Sequence, residues 1–176
     1  MKTLTDRGFV ILRGAFDPAF PVEKTPAILE VVQQIIGREF GVLYSGAREP
    51  AQGRGQQGLH QDWMRRSPSG ATLAQADVAT VLAFLDDFGP DNGATGLIPG
   101  SHRWPHPLLK AQQQAQATHP EEIQFSGRAG DVLIFNGHLW HRGRENRSGA
   151  PRRAVQVQFC ALDRMPPSAG TIPSES

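Results

Sequence analysis

The sequence predicts an all-β core with helices outside it, in which two sheets close over one cavity as in jelly rolls and cupins. Two observations support this prediction. The chain contains 19 glycines and 14 prolines, which separate short apolar runs, and this pattern is typical of short strands joined by turns. A single amphipathic helical segment, residues 28–36, precedes about eight such runs, so most of the chain is expected to be β-structure.

The individual elements follow from periodicity and from turn residues. A first apolar run covers residues 9–12. In the helical segment, apolar residues recur at the spacing of one buried face, and Gly37 is placed to end the helix. A second short helix is predicted over residues 108–117, in a Gln-rich stretch. Strands are predicted over residues 41–45, 59–63, 78–85, 94–98, 122–125, 131–135 and 154–161.

Length and composition indicate one globular domain. The 176 residues are 39% hydrophobic and 20% charged, which is ordinary for a protein with a packed core. We expect this domain to cover residues 1–164. A flexible C-terminal tail is expected over residues 165–176, which are rich in proline, serine and glycine.

Charge and cysteine content limit the classes of partner and the compartment. The net charge of +1 gives no indication of a nucleic-acid or membrane partner, and the sequence contains no apolar run of membrane-spanning length and no evident signal peptide. The lone Cys160 excludes an internal disulfide and is expected to be a small buried residue, so we expect a cytoplasmic protein. The oligomeric state stays open.

A histidine and an aspartate two residues apart form the first candidate metal site. His60 and Asp62 lie in a predicted strand, where residues two apart project from the same face. An imidazole nitrogen and a carboxylate oxygen side by side suit a divalent metal. Alone the pair is a weak signal, because two polar side chains on an edge strand give the same pattern.

A second candidate segment, residues 130–143, lies far downstream. A turn-like Gly-Asp pair opens an apolar strand, and His138 and His141 follow it. Either histidine would complete a facial triad of two histidines and one carboxylate, which leaves metal positions open for a cosubstrate and oxygen. The spacing does not choose between the two histidines.

Two adjacent arginines precede the last predicted strand. An arginine at the start of a strand can bind a carboxylate through two parallel hydrogen bonds, as the anchor of a dicarboxylate cosubstrate would. Strand alternation directs Arg152 and Arg153 to opposite faces, so only one of them is expected to enter the cavity. The other is expected to belong to a solvated basic turn.

Together these segments resemble the phytanoyl-CoA dioxygenase family of iron(II)/2-oxoglutarate-dependent oxygenases. The matching segments are RGFVILRG (7–14), GQQGLHQDW (55–63), LAFLDDFGPDNGATGLIPGSHRW (82–104) and GDVLIFNGHLWHRGRENRSGAPRRA (130–154). The resemblance implies a double-stranded β-helix fold and a dependence on iron(II), 2-oxoglutarate and O2. It implies hydroxylation of an unidentified small organic substrate while 2-oxoglutarate is decarboxylated to succinate and CO2.

The resemblance also implies roles for individual residues. The family's metal ligands fall on His60, Asp62 and His141, which decides against His138. The family's 2-oxoglutarate arginine lies eleven residues after the distal histidine, at Arg152. Since the carboxylate ligand is retained, the resemblance implies hydroxylation rather than the halogenation found in relatives that lack it.

Further predictions concern other residues near these motifs. Thr95 and Tyr44 are candidates for hydrogen bonds to the carboxylates of 2-oxoglutarate. His102 is expected to be structural, because the resemblance gives it no metal role. Residues 63–66 are candidates for the substrate mouth. The segment between residues 16 and 30 is shorter than in many members of the family, which argues against a bulky acyl-CoA substrate.

Three alternatives stay open at this level. A zinc-dependent cupin-type hydrolase or isomerase would use the same kind of ligands. A jelly-roll protein could bind a ligand without turnover, since fold alone does not establish catalysis. An oxygenase could also act on a peptide or protein side chain. The presence of Arg152 favours the small-molecule iron oxygenase over the zinc enzyme.

Overall fold

The computed structural model describes residues 2–63 and 76–166. Its two α-helices are α1 (Lys2–Arg7) and α2 (Pro26–Ile36). Its strands are β1 (Phe9–Leu12), β2 (Phe40–Arg48), β3 (Val78–Phe84), β4 (Gly96–Leu97), β5 (Ile123–Gln124), β6 (Val132–Asn136), β7 (His141–Arg142) and β8 (Ala154–Ala161).

Helix α2 begins and ends at residues suited to those positions. Pro26 occupies the first turn, where its missing N–H is not needed. Gly37 ends the helix in the left-handed conformation, with φ of 71°, and its N–H donates to the Gln33 carbonyl. The face buried against the sheet consists of Ile28, Val32, Ile35 and Ile36. The predicted helix and its end are therefore confirmed.

Two antiparallel sheets form the core. The larger sheet has the strand order β1-β6-β3-β8-β2, and the smaller sheet has the order β5-β4-β7. Helix α2 packs on the outer face of the larger sheet, while a second apolar cluster, which includes Phe84, Leu97 and Phe135, fills the space between the sheets. This arrangement is the predicted all-β core with flanking helices.

Two of the predicted elements are wrong. Of the predicted strand at residues 59–63, only His60 forms a β-bridge, while the Trp63 N–H makes a single hydrogen bond to the Gly137 carbonyl. Residues 108–117 form turns rather than a helix. Their glutamine side chains bond to the local backbone: Gln113 donates to the Leu108 carbonyl, and Gln112 accepts from the Leu109 N–H. The segment lacks an apolar face that packing could stabilise as a helix.

Some predictions concern residues that the structure does not describe. Residues 64–66 of the predicted substrate mouth and residues 167–176 of the predicted tail lie outside the described ranges. Within those ranges, no helix has both the length and the apolar character needed to cross a membrane.

A buried group of charged side chains anchors strand β7. Arg142 is completely buried and donates to the carboxylate of Glu122 through both Nε, at 3.1 Å, and Nη2. The Nε of Arg144 lies 2.8 Å from the same carboxylate. Because β7 also contains His141, this group fixes the backbone next to a candidate metal ligand.

We expect Glu122→Gln to lower the free energy of unfolding by about 2 kcal/mol, because Arg142 would keep its charge in a buried position with only a neutral partner. Equilibrium unfolding in urea measures the change. Glu121→Gln is the matched control, since the neighbouring glutamate is exposed and its side chain has no partner in the described residues. Equal effects of the two substitutions would contradict the stabilising role of Glu122.

Candidate active site

The two predicted histidine ligands lie opposite each other on neighbouring segments. The His60 N–H donates to the His141 carbonyl at 2.9 Å, and the His141 N–H donates to the His60 carbonyl at 3.0 Å. Reciprocal bonds of this kind place two antiparallel residues side by side with their side chains on the same face. The centroids of the two rings are accordingly 4.3 Å apart.

Asp62 joins the two histidines from the bend that follows His60. Its Oδ1 lies 3.5 Å from the Nε2 of His141. One potential ligand atom from each of the three residues lies within 4.8 Å of the other two. Two imidazoles and one carboxylate are the donor set of a facial triad, which suits iron(II). We refer to these three residues as the triad.

Backbone carbonyls orient both imidazole rings. The Nδ1 of His60 lies 3.0 Å from the Gly58 carbonyl oxygen, and the Nδ1 of His141 lies 2.9 Å from the Leu139 carbonyl oxygen. A carbonyl oxygen can only accept, so the proton is on Nδ1 in both rings. When neutral, each ring therefore presents the Nε2 lone pair, as metal-binding histidines with such outer partners do.

Burial and mutual charge determine the protonation of the triad. Burial lowers the pKa of His60, and the nearby His141 lowers it further. Burial also disfavours a charged His141, but Asp62 outweighs this effect and raises the His141 pKa. Burial would raise the pKa of Asp62, yet His141 and a hydrogen bond from Thr80 bring it well below its usual range. Asp62 is thus an ionised carboxylate at neutral pH, the form that binds metals.

Thr80 belongs to this site, although sequence reasoning did not find it. It is the only polar residue of strand β3 and is fully buried. Its hydroxyl donates to Oδ2 of Asp62 at 2.5 Å, which leaves Oδ1 facing His141. The available signal was a single hydroxyl in an otherwise apolar strand, because a buried hydroxyl requires a partner.

We expect Thr80→Val to weaken Mn²⁺ binding about tenfold, because the valine methyl cannot hold the Asp62 carboxylate in position. Thr80→Ser keeps the hydroxyl and is expected to restore most of the affinity. Titration followed by electron paramagnetic resonance of free Mn²⁺ measures both variants. Unchanged affinity in a folded Thr80→Val protein would show that Asp62 does not depend on Thr80 for its orientation.

Arg152 is buried in the wall of the same cavity. The cavity has a volume of about 490 Å³ and is lined by the triad, Thr80 and Arg152 among other residues. Arg152 is 6% exposed, and its guanidinium carbon lies 4.9 Å from the centroid of the Phe88 ring. Burial, and then the nearby charge of Arg48, lowers the pKa of Arg152 to about 10.

The guanidinium of Arg152 has no acidic partner among the residues that the structure describes, and its buried Nε donates to no acceptor there. A buried cation without a counter-charge is destabilising. A bound carboxylate would remove this cost and accept two parallel hydrogen bonds. The site is therefore suited to an anionic group at Arg152.

Arg153 has the opposite orientation. Its guanidinium donates to both oxygens of the Asp86 carboxylate, with both distances 2.9 Å, at the protein surface. Arg152 and Arg153 thus lie on opposite faces, as strand alternation predicts. Only Arg152 lines the cavity.

The two other predicted cosubstrate residues lie in different environments. Thr95 is buried and lines the cavity. Tyr44 is 40% exposed, lies outside the described cavity lining, and has its hydroxyl against Gly46. The structure therefore brings Thr95, but not Tyr44, together with the triad and Arg152.

The two remaining histidines of the motifs bond to backbone carbonyls away from the triad. The Nδ1 of His138 lies 3.0 Å from the Trp63 carbonyl oxygen. The Nε2 of His102 lies 3.2 Å from the Thr5 carbonyl oxygen. These contacts connect loops to each other and to the N-terminal helix, which fits the structural role expected for His102.

Comparison with known proteins places this site in a family. Residues 15–154 match the family model described as phytanoyl-CoA dioxygenase (PhyH). The chain belongs to the phytanoyl-CoA dioxygenase family. The resemblance seen in the sequence motifs is thus confirmed.

Several fungal relatives are named dioxygenases. The dioxygenase cdmD of Talaromyces verruculosus is 34% identical over 144 residues, which are 73% of this chain and 43% of that protein. The dioxygenase aneA of Aspergillus aculeatus is 31% identical over 142 residues, which are 76% of this chain and 46% of that protein. This chain thus spans less than half the length of these relatives.

Two solved structures share the fold. HygX from Streptomyces hygroscopicus, solved with nickel and 2-oxoglutarate bound, aligns with a TM-score of 0.72 at 18% identity and covers 90% of this chain and 85% of its own. SnoN, a non-heme alpha-ketoglutarate-dependent epimerase from nogalamycin biosynthesis, aligns with a TM-score of 0.70 at 14% identity and covers 99% and 91%. These alignments confirm the predicted double-stranded β-helix, or jelly-roll, fold.

Proposed function

We propose that this chain is an iron(II)/2-oxoglutarate-dependent dioxygenase that hydroxylates a small organic substrate with O2. One observation supports this more than any other: the triad lines one cavity with the buried guanidinium of Arg152, which has no acidic partner among the described residues. Membership of the phytanoyl-CoA dioxygenase family supports the same activity. The shared fold with HygX, whose structure contains 2-oxoglutarate, is consistent with it.

Each residue has a defined task in this proposal. The iron(II) would be bound by Nε2 of His60, Nε2 of His141 and Oδ1 of Asp62. Arg152 would bind the distal carboxylate of 2-oxoglutarate through two parallel hydrogen bonds. Thr95 would donate its hydroxyl to a carboxylate of the same molecule. The iron, when bound, supplies the oxidative chemistry that converts 2-oxoglutarate to succinate and CO2 and hydroxylates the substrate.

The protein supplies position and a dry environment. Leu82 and Phe135 line the cavity beside the triad and reduce the water around it. Thr80 and the backbone carbonyls of Gly58 and Leu139 hold the three ligands in fixed orientations. Binding of the two reactants next to each other then lowers the entropic part of the barrier.

The two non-oxygenase alternatives leave Arg152 without a role. A zinc hydrolase or isomerase could use the same triad, but its chemistry requires no buried cation for a dicarboxylate. A non-catalytic jelly-roll protein would not require both a metal triad and a buried arginine in one cavity. Metal analysis after anaerobic purification separates zinc from iron, and oxygen consumption with 2-oxoglutarate separates an enzyme from a binding protein.

We also propose a cytoplasmic location, which is supported by the chemistry of the lone cysteine. Cys160 is buried in strand β8, and burial raises the pKa of its thiol to about 11. A thiol of this kind is poorly suited to form a disulfide with another chain. A buried, reduced thiol supports a reducing compartment such as the cytoplasm.

Anaerobic titration tests the proposed activity. Addition of iron(II) and 2-oxoglutarate to the metal-free protein is expected to produce a visible metal-to-ligand charge-transfer band, since the 2-oxo acid chelates the iron. Exposure to air should then convert 2-oxoglutarate to succinate with consumption of O2. Zinc-loaded protein is the control and should show neither signal. Absence of the band with folded wild-type protein would contradict the proposal.

A further inference from the structure

A second arginine lines the cavity in addition to Arg152. Arg48 is the last residue of strand β2, and its Nε donates to Oε1 of Gln156 at 2.5 Å. Gln156 lies on strand β8, is 6% exposed, and lines the same cavity. Arg48 is exposed to solvent, and its bond to the buried glutamine holds the guanidinium at the cavity wall.

The wall formed by Arg48 and Gln156 presents hydrogen-bond donors. A guanidinium cannot accept a hydrogen bond, so the Gln156 carboxamide must direct its oxygen to Arg48 and its nitrogen elsewhere. In the described part of the chain, no carboxylate lies within ion-pair distance of Arg48. The Nη groups of Arg48 and the amide of Gln156 are thus available to an acceptor.

The charges in the cavity leave one cation unbalanced. In the proposed function, the positive charges of iron(II) and Arg152 balance the negative charges of Asp62 and 2-oxoglutarate. At the rim, Arg54 and Glu49 are of opposite sign. Among the described residues that line the cavity, Arg48 is the remaining charge, and it is close enough to Arg152 and His60 to lower the pKa of both.

We propose that Arg48, positioned by Gln156, binds a carboxylate of the compound that is hydroxylated. The inference rests on the proposed function and adds a substrate class, a small organic acid. The free edge of the guanidinium offers two parallel N–H groups, which match the two oxygens of a carboxylate. A neutral or basic compound would offer this donor wall no charged acceptor.

Binding of matched acids and amides to the Mn²⁺-loaded protein with 2-oxoglutarate tests the proposal. The probes are acetate, benzoate and 3-phenylpropanoate, each compared with its primary amide. Mn²⁺ accelerates the relaxation of nearby probe protons, so the nuclear magnetic resonance signal reports binding next to the triad. We expect at least one acid to bind more tightly than its amide, and Arg48→Gln to weaken that acid about tenfold or more.

Two further variants separate the effect of net charge from that of the guanidinium geometry. Arg128→Gln makes the same change in net charge at an exposed position away from the cavity, and should leave acid binding unchanged. Arg48→Lys keeps the charge without the fork geometry and should bind the acid with intermediate affinity. Thermal unfolding of each variant shows that the compared proteins are folded. If Arg48→Gln does not fold, the same loss is expected in Arg48→Met.

Three results would overturn the inference. The first is equal or absent binding of all three acids and their amides to the wild-type protein. The second is acid binding that persists in the folded Arg48 variants. The third is a loss of 2-oxoglutarate affinity in Arg48→Gln as large as in Arg152→Leu, which would assign Arg48 to the cosubstrate. Failure of the proposed function is distinguishable, since wild-type protein would then bind no 2-oxoglutarate.

Discussion

Asp62→Ala is expected to abolish the charge-transfer band and the turnover of 2-oxoglutarate, with metal affinity reduced by more than about 100-fold. Removal of the carboxylate leaves two imidazoles and no negative charge in a buried site, which strongly disfavours a divalent cation. Anaerobic titration with iron(II) and 2-oxoglutarate measures affinity, and succinate formation in air measures turnover.

Two further variants show whether the charge of Asp62 is required. Asp62→Asn keeps the shape of the side chain and an oxygen that can accept from Thr80, but it lacks the negative charge. We expect a loss nearly as large as that of Asp62→Ala. Asp91→Ala removes an exposed carboxylate and should behave as wild type. A charge-transfer band of wild-type affinity in folded Asp62→Ala would show that the metal ligands differ from the triad.

The family motifs, rather than local periodicity, identified the second histidine. Spacing alone could not choose between His138 and His141, because both follow strand β6 within a few residues. The structure shows the physical difference. His141 is paired in register with His60, whereas His138 lies in a turn and bonds to the Trp63 carbonyl. Such pairing joins segments far apart in the chain, and no local pattern encodes it.

Strand alternation correctly predicted the direction of side chains where the strand was regular. It placed Arg152 and Arg153 on opposite faces just before β8. It gave no comparable guide for Tyr44, because the register between β2 and β8 shifts between Val42 and Tyr44. A β-bulge of this kind redirects the following side chains and has no clear signal in this sequence. The predicted strand over residues 41–45 likewise ends too early, because β2 continues to Arg48.

Arg152→Leu is expected to weaken 2-oxoglutarate binding by about 100-fold or more, because the distal carboxylate would lose two charge-assisted hydrogen bonds in a buried site. Arg153→Leu is the matched control and should have little effect on 2-oxoglutarate, since Arg153 pairs with Asp86 at the surface. Anaerobic titration of the iron(II)-loaded variants measures both affinities. Equal losses would contradict the assignment of Arg152.

A shorter 2-oxo acid separates this contact from a general disturbance of the site. 2-Oxobutanoate chelates iron in the same way but lacks the distal carboxylate, so Arg152→Leu should bind it about as well as wild type does. In the absence of ligand, Arg152→Leu should also raise the melting temperature, because it removes an unpaired buried charge and keeps an apolar side chain next to Phe88. Arg152 would thus stabilise the ligand-bound protein and destabilise the free protein, which indicates that ligand binding rather than folding requires this residue.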